Sequence, residues 1–285
     1  MPFQRKPLST VPTIGIVGFG AFGALIAQHL AGHCRLLAFD PAPRGDMPAD
    51  GSVQLCNLPE IARCDVVVLA VPVSSMGEVI RSLRPHLQPG TIVMDVGSVK
   101  IEPVRTMLAE LPPFVEIIGS HPLFGPQSAK DGVAGHRIAW CPVRGRSAGR
   151  VAAFLRSVLK LQVIRTTPDA HDREMAVVQG LTHLIAKVLV RMEPLPTRMA
   201  TRSFDLILQA TNMVRHDAPA VYEAIERANP HAAAVRERFF TLAEEVRGSV
   251  QDSASRNSKL RRRLTDDRDH GNRYESRHNS SQFVD

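Results

Sequence analysis

A histidine at the end of an apolar stretch is the side chain of this sequence best suited to proton transfer. His121 follows the apolar segment "VEIIGS", and the turn-forming pattern Pro-Leu-Phe-Gly-Pro comes directly after it. A neutral imidazole accepts a proton near pH 7. If the apolar segment is a strand of a parallel sheet, His121 lies at the carboxyl end of that strand, where ligands bind. Its type and position therefore fit either a structural histidine or a general base.

A second chemical motif, G-x-G-x-x-G, spans Gly18 to Gly23. It follows an apolar stretch and opens a helical pattern, the context in which glycines let the backbone approach a pyrophosphate. Asp40 ends the next apolar stretch, where a carboxylate binds the ribose hydroxyls of NAD and repels the extra phosphate of NADP. Arg44 is close enough to accept that phosphate, so NAD is favoured and NADP is the alternative. Cofactor contacts are predicted for Gly18, Phe19, Gly20, Ala21, Phe22, Gly23, Asp40, Val71 and Pro72.

Apolar strands that alternate with amphipathic helices must position these residues. Strands are predicted at residues 13–20, 35–40, 65–72, 91–98, 115–122, 136–143 and 161–167. This alternation is typical of a parallel sheet covered on both faces. From Pro168 to about Val246 the apolar residues recur every three or four positions, which predicts helices only. The predicted fold class is α/β, a Rossmann-type parallel sheet domain followed by an all-helical domain for dimerisation and substrate binding.

Four segments follow from this change of pattern. An N-terminal extension covers residues 1–12, a dinucleotide-binding domain 13–167, a helical domain 168–247 and a polar tail 248–285. The tail is rich in Ser, Arg and Asn, and it cannot bury enough apolar surface to offset the entropy of ordering. It is therefore predicted to be disordered.

Bulk composition excludes several classes of protein. The net charge of +7 is spread without a stripe of basic and aromatic residues, so a nucleic-acid partner is not expected. No apolar run is long enough to span a bilayer, and no apolar signal core precedes the first strand, which predicts a cytoplasmic protein without a membrane partner. The four cysteines are not clustered and are interpreted as small buried thiols. His29 and His33 have a metal-like spacing but lack a third ligand, so no metal is expected.

Three segments together carry a resemblance to a known family. They are "DVGSVK" (Asp95 to Lys100), "GSHPLFGPQSAKDG" (Gly119 to Gly132) and "HDREMAVVQGLTHLIAKVL", which begins at His171. The sequence from Ile14 to Val246 resembles the prephenate/arogenate dehydrogenases of tyrosine biosynthesis. The resemblance implies an oxidative decarboxylation with hydride transfer to NAD(P). It also implies that Ser98 and His121 meet the ring hydroxyl of the substrate, and that His183 faces the site from the long helix.

The resemblance also bears on the choice of substrate. Many bacterial members grip the ring carboxylate with an arginine, whose position here falls on Met213; Arg215 is the predicted substitute. Asp217 and Tyr222 are spaced like an Asp and a Tyr of the plant arogenate dehydrogenases. An aspartate would attract the ammonium of arogenate and disfavour the ketone of prephenate. Conversion of arogenate to tyrosine is slightly favoured over conversion of prephenate to 4-hydroxyphenylpyruvate.

Other interpretations stay open at this point. The chain could be a β-hydroxyacid-type dehydrogenase of the same architecture, with Lys187 on the long helix, or a non-catalytic NAD-binding regulator. Ser98 could cap a helix that starts at Val99, His171 could serve a first-turn capping role, and His183 could be a satisfied core histidine. Asp217 could cap the helix that follows it. Because the helical domain is small and apolar, we expect it to form a homodimer.

Overall fold

An eight-stranded sheet forms the centre of the fold. The computed structural model describes residues 11–43, 48 and 51–251. The strands follow the order β3-β2-β1-β4-β5-β6-β7-β8, with β1 to β6 parallel, β7 antiparallel to β6, and β8 parallel to β7. They are β1 (Thr13–Val17), β2 (Arg35–Phe39), β3 (Val53–Leu55), β4 (Val66–Leu69), β5 (Ile92–Asp95), β6 (Glu116–Pro122), β7 (Arg137–Arg144) and β8 (Gln162–Arg165).

Helices cover the sheet and then make up all of the regular structure described after β8. They are α1 (Ala21–Leu30), α2 (Leu58–Ile61), α3 (Met76–Leu83), α4 (Ile101–Glu110), α5 (Ala148–Ser157), α6 (Pro168–Arg191), α7 (Arg202–Val214) and α8 (Pro219–Glu223), and α9 covers residues 232–251. A π-helical turn, Ala224–Ala228, follows α8 directly. Among the described helices, none is long and apolar enough to cross a membrane.

Both faces of the sheet are apolar and buried, as the alternation of strands and helices predicts. One core contains Ile80 of α3, Met107 of α4 and Ile117 of β6. The opposite core contains Met94 of β5 and Leu155 of α5. Strands that are buried on both faces need continuous apolar sequence, so they appear as apolar runs in the amino-acid sequence. The predicted fold class, a mostly parallel sheet followed by helices, is confirmed.

Contacts divide the chain into two compact units, one that ends at Val235 and one that begins at Arg236. The described part of the second unit is the remainder of α9. The predicted tail begins at Gly248, but α9 continues to residue 251; the other residues of that tail lie outside the described chain, as does Arg44. The boundary expected after residue 167 falls inside the first unit, where α6 bonds to α4. The four predicted segments therefore stay a prediction about domain roles.

Two features of the sheet differ from the sequence-based prediction. Strand β3 is only three residues long and lies at the edge of the sheet, so it leaves no apolar run to detect. Strand β7 is antiparallel to β6. A parallel neighbour needs a crossover, usually a helix, but residues 123–136 contain Gly125, Pro126, Gly132 and Gly135 and form none. The chain therefore turns back and pairs with the strand it has just left.

This pairing determines the surroundings of His121. The histidine lies at the carboxyl end of β6, as the predicted strand 115–122 implies, and β6 continues through Pro122. His121 lies opposite Ala139 of β7 and is buried. The antiparallel partner supplies hydrogen bonds at the strand end, so the ladder extends past the point where the apolar pattern stops.

Helix α6 carries a row of side chains at four-residue spacing on one face. Thr167 caps it by accepting a hydrogen bond from the backbone N–H of Ala170, and Pro168 occupies the first turn. The predicted capping role of His171 is therefore wrong. Residues four apart share a helix face. The α6 row consists of His171, Met175, Gln179, His183 and Lys187.

Candidate active site

The glycine loop between β1 and α1 lies where the strand order reverses, between β1 and β4. Gly18 has a φ of 97°, and a Cβ there would lie 2.5 Å from the carbonyl oxygen of Ala70. A Cβ on Gly23 would lie 2.1 Å from the carbonyl oxygen of Gly18. A Cβ on Gly20 would meet no atom within 4 Å. Two glycines thus permit close packing and the third leaves open space, which fits a pyrophosphate at the start of α1.

Asp40 lies beside this loop, directly after β2. Its Oδ2 accepts a hydrogen bond from the backbone N–H of Phe19 at 2.7 Å, and its Oδ1 accepts one from Ala42 at 2.8 Å. The carboxylate is thereby held against the loop that would carry a pyrophosphate. Val71 and Pro72 follow Ala70, whose carbonyl packs on Gly18. The structure therefore brings the predicted cofactor-binding positions together at one sheet edge.

Three buried side chains form a hydrogen-bonded chain from β6 to α6. The Nδ1 atom of His121 is 2.9 Å from the Nε2 atom of His171. The Nδ1 atom of His171 is 2.7 Å from the Oδ1 atom of Asp172. We call these residues, His121, His171 and Asp172, the buried relay. All three are less than 5% exposed, so water does not compete for these bonds.

Asp172 also anchors the relay to α4. Its two carboxylate oxygens accept hydrogen bonds from the backbone N–H groups of Lys100 at 2.7 Å and Ile101 at 2.9 Å. These amides stand at the N-terminus of α4, where a carboxylate is favoured by the free donors and by the helix dipole. The predicted capping of this helix by Ser98 is wrong, because α4 begins at Ile101 and Asp172 supplies the acceptor from another helix.

The carboxylate fixes where the protons of the relay lie. An ionised Asp172 only accepts, so His171 donates its Nδ1–H to it and has a lone pair at Nε2. His121 therefore donates its Nδ1–H to His171, and its own Nε2 carries the free lone pair. A neutral histidine with an outward lone pair is the form that a general base needs.

Electrostatics favour the same neutral form. Burial lowers the pKa of His121 well below its ordinary value of 6.5, and electrostatic interactions with His171 and Lys100 lower it further. Lys100 is fully buried and forms an ion pair with the equally buried Asp95 at the end of β5. Ser120, next to His121, donates its hydroxyl proton to the carbonyl oxygen of Asp95 at 2.6 Å. The ion pair and the strand that carries His121 are thus bonded to each other.

The α6 row continues beyond the relay. The Nε2 atom of Gln179 is 3.4 Å from the free Nε2 of His121. His183 places Nδ1 3.0 Å from the carbonyl oxygen of Gln179 and Nε2 3.1 Å from Oδ2 of Asp217. The ammonium of Lys187 lies 3.0 Å from the ring centroid of Tyr222. The helix thus presents a line of polar groups that starts at the base.

Two predicted residues lie apart from this line. Ser98 is half-buried on the loop that joins β5 to α4, and its hydroxyl has no hydrogen-bond partner within the described chain. Both terminal nitrogens of Arg215 bond the carboxylate of Glu193, at 2.8 and 3.0 Å. The sequence pattern alone assigns no role to Asp172, Gln179 or Lys100. The four-residue spacing from His171 to Lys187 is a signal that could have pointed to Gln179.

Comparisons with known proteins agree with this architecture. A family model described as "Prephenate dehydrogenase, nucleotide-binding domain" matches residues 52–163. A second, described as "Prephenate dehydrogenase, dimerization domain", matches residues 167–265. The first match begins after the glycine loop and Asp40, so the case for those residues rests on their own geometry.

Individual relatives point the same way. The chain is 28% identical over 246 residues to arogenate dehydrogenase 1, chloroplastic, of Arabidopsis thaliana, a match that covers 82% of this chain and 38% of that protein. It is 26% identical over 208 residues to the probable arogenate/prephenate dehydrogenase of Methanocaldococcus jannaschii, a match that covers 69% of this chain and 46% of that one. The matches thus span less than half the length of these two relatives.

A solved structure has the same fold. It is prephenate dehydrogenase from Aquifex aeolicus in complex with hydroxyphenyl propionate and NAD+, with a TM-score of 0.69 and 21% identity. The likeness covers 93% of this chain and 99% of that one. Because the two family models match in chain order and together cover β3 to β7 and the helices α4 and α6 that hold the relay, the chain belongs to the prephenate dehydrogenase family.

Proposed function

We propose that the protein catalyses the oxidative decarboxylation of a cyclohexadiene acid of the arogenate or prephenate type, in tyrosine biosynthesis, with NAD as the hydride acceptor. The observation that carries this proposal is the buried relay, which leaves the Nε2 lone pair of His121 free at the carboxyl edge of the sheet. That edge also holds the glycine loop and Asp40. A neutral base near a dinucleotide site is what removal of a hydride and a hydroxyl proton requires.

The chemistry needs little more than orientation of the reacting groups. The substrate carries a hydroxyl on the ring carbon opposite its ring carboxylate. His121 accepts the hydroxyl proton while the hydrogen on the same carbon leaves as hydride; bound NAD would supply the acceptor. The electron pair of the bond to the carboxylate then enters the ring, and carbon dioxide departs. His121 returns its proton to the phenolic oxygen, so the base is neutral again after each turnover.

NAD is proposed over NADP because of Asp40. Both of its oxygens already accept backbone hydrogen bonds, and each has a further lone pair for a ribose hydroxyl. The same negative charge would repel a 2′-phosphate.

Arogenate is proposed over prephenate because of Asp217. One of its oxygens contacts His183, and the carboxylate side chain is 33% exposed. An ammonium group on the substrate could pair with the other oxygen, whereas a ketone would leave a carboxylate facing a carbonyl dipole.

The ring carboxylate needs a cation, and the candidates are Arg215, close to Asp217 in the chain, and Lys187, one turn after His183. Arg215 was the expected one, but its guanidinium is paired with Glu193. Lys187 lies on the α6 row beyond His183, and no carboxylate contacts it within the described chain. We propose that Lys187 attracts the ring carboxylate of the substrate. Arg215 could do so only if its ion pair with Glu193 were broken.

An assay with four pairings tests the function. Arogenate or prephenate is offered with NAD or NADP, and the absorbance of the reduced nicotinamide is followed. We expect the highest kcat/KM for arogenate with NAD. Faster turnover of prephenate would contradict the role of Asp217, and faster turnover with NADP would contradict that of Asp40. No reduced nicotinamide in any pairing, together with measurable NAD binding, would support a non-catalytic regulator instead.

A further inference from the structure

Gln179 places its carboxamide against the free nitrogen of the base. Its Nε2 atom is 3.4 Å from the Nε2 atom of His121. Its Oε1 atom is buried and has no hydrogen-bond partner within the described residues. Buried polar atoms are nearly always paired, so an unpaired polar atom beside the proposed base indicates a missing hydrogen-bond partner such as a bound ligand. Within the described residues, the side-chain amide of Gln179 therefore has a single hydrogen-bond contact, the long one to His121.

The relay determines which end of the amide faces His121. Because Asp172 accepts from His171 and His171 accepts from His121, the Nε2 atom of His121 is an acceptor. Only the N–H₂ end of Gln179 can donate to it. In the free protein, the lone pair that should take the substrate proton therefore already receives a weak hydrogen bond from Gln179.

We propose that Gln179 is a catalytic residue that donates an N–H to the reacting oxygen of the substrate. This inference rests on the proposed role of His121 as the base. When the substrate hydroxyl donates to the Nε2 atom of His121, it displaces the amide from that lone pair. The released N–H of Gln179 is then within hydrogen-bond reach of the same hydroxyl oxygen, because that oxygen now contacts the Nε2 atom of His121, the former acceptor of the amide.

The charge that develops on this oxygen gives the amide its effect. His121 takes the O–H proton, and the former O–H pair forms the carbon–oxygen double bond as hydride leaves the carbon. When the bond to the carboxylate breaks, its pair enters the ring and the oxygen becomes a phenolate. A donor already pointed at that oxygen stabilises the negative charge more than it stabilises the neutral hydroxyl, and so it accelerates the reaction. The proton then returns from His121.

Three variants test the role of the amide. Gln179→Met removes the donor at nearly constant length, Gln179→Glu keeps the shape and adds charge, and Gln28→Met makes the first change at an exposed position of α1. We expect Gln179→Met to lower kcat about 100-fold, the usual effect of losing one such donor, with KM within about threefold. Its affinity for 4-hydroxyphenylpropionate, a phenol that mimics the product, should fall by about tenfold in a calorimetric titration. Gln28→Met should change neither quantity.

The glutamate variant tests whether residue 179 faces the base. A carboxylate beside His121 stabilises the imidazolium, so the acid limb of the kcat profile should move to higher pH in Gln179→Glu. A limb that stays in place would contradict the contact between this side chain and His121, whereas the fall of kcat at nearly constant KM in Gln179→Met separates a catalytic role from a structural one. Unchanged kcat and unchanged phenol affinity in Gln179→Met would overturn the inference. If the wild-type protein forms no reduced nicotinamide but binds the phenol through Gln179, the proposed function fails while the donor role at this position stands.

Discussion

At the residue scale, the orientation of the proposed base follows from one buried carboxylate. Asp172 accepts two backbone amides of α4 and the Nδ1–H of His171, and this fixes the lone pair of His121 at the far end of the relay. The place of His121 at a strand end was predictable from the sequence, and its role as the base stays a proposal. The roles of His171 and Asp172 were not predictable, because their partners lie 50 and 72 positions earlier in the chain and no local pattern encodes that distance. Locally, the dipeptide His171-Asp172 indicates only the start of a helix.

The low pKa of His121 makes a prediction about pH. The imidazole is active as a base only when neutral, which holds at pH values above its pKa in the folded protein. Because burial lowers that pKa well below 6.5, kcat/KM should still be on its plateau at pH 6.5 and should fall only at more acidic pH. The pH dependence of kcat/KM measures this. An acid limb centred at or above pH 6.5 would show that His121 is not the group titrating in the free enzyme.

At the scale of elements, helix α6 joins the base to the rest of the site. The periodicity of its apolar residues and the prolines that bound it predict this helix from the sequence, and the structure has the helix at Pro168–Arg191. Which face of α6 meets β6 depends on packing across the fold, so the sequence alone does not show that His171 and Gln179 lie against His121. The antiparallel direction of β7 is not predictable for a similar reason, because the composition of an apolar strand does not indicate whether it runs parallel or antiparallel to its neighbour.

Replacement of Asp172 should uncouple α6 from α4. The substitution Asp172→Asn leaves one acceptor oxygen where two are used, so either an α4 amide or His171 loses its partner. We expect the free energy of unfolding to fall by about 1–2 kcal/mol, as for loss of a helix cap, and kcat to fall at least about tenfold because His121 is less well oriented. Urea denaturation and initial rates measure these effects.

Asp169→Asn is the matched control for this change. Asp169 lies on the same helix, but it is exposed and pairs with Arg173 and His231 at the surface. Its loss should change stability little, because a surface ion pair is screened by solvent, and should leave kcat unaffected. Equal effects of the two substitutions on kcat would argue against the relay.

At the scale of the whole molecule, the alternation of apolar strands and helices was enough to predict the fold class. The expected homodimer stays a proposal, which the description of the matched helical model as a dimerization domain supports. Helices α6 and α7 expose apolar side chains that a second copy could bury. These side chains are Val177, Val178, Ile185, Val188, Leu206, Ile207 and Met213.

A charge introduced on these helices should weaken the dimer. We expect sedimentation equilibrium to give a mass near twice that of one chain for the wild type. Val188→Asp should shift the distribution toward the monomer because an aspartate would be desolvated at the interface. Val158→Asp, an exposed valine at the end of α5, is the control and should leave the mass unchanged. A monomeric wild-type protein would refute the proposal.

The role of His121 as the base is the central claim, and one substitution tests it most directly. Asparagine keeps much of the size and polarity of histidine but cannot accept the hydroxyl proton. We predict that His121→Asn lowers kcat by about 100- to 10,000-fold with the preferred substrate, while the affinity for NAD, measured by titration, changes less than about threefold. His86→Asn, on the turn after α3, should behave like the wild type. Near-normal turnover by His121→Asn would contradict the assignment of the base and, with it, the role given to the relay.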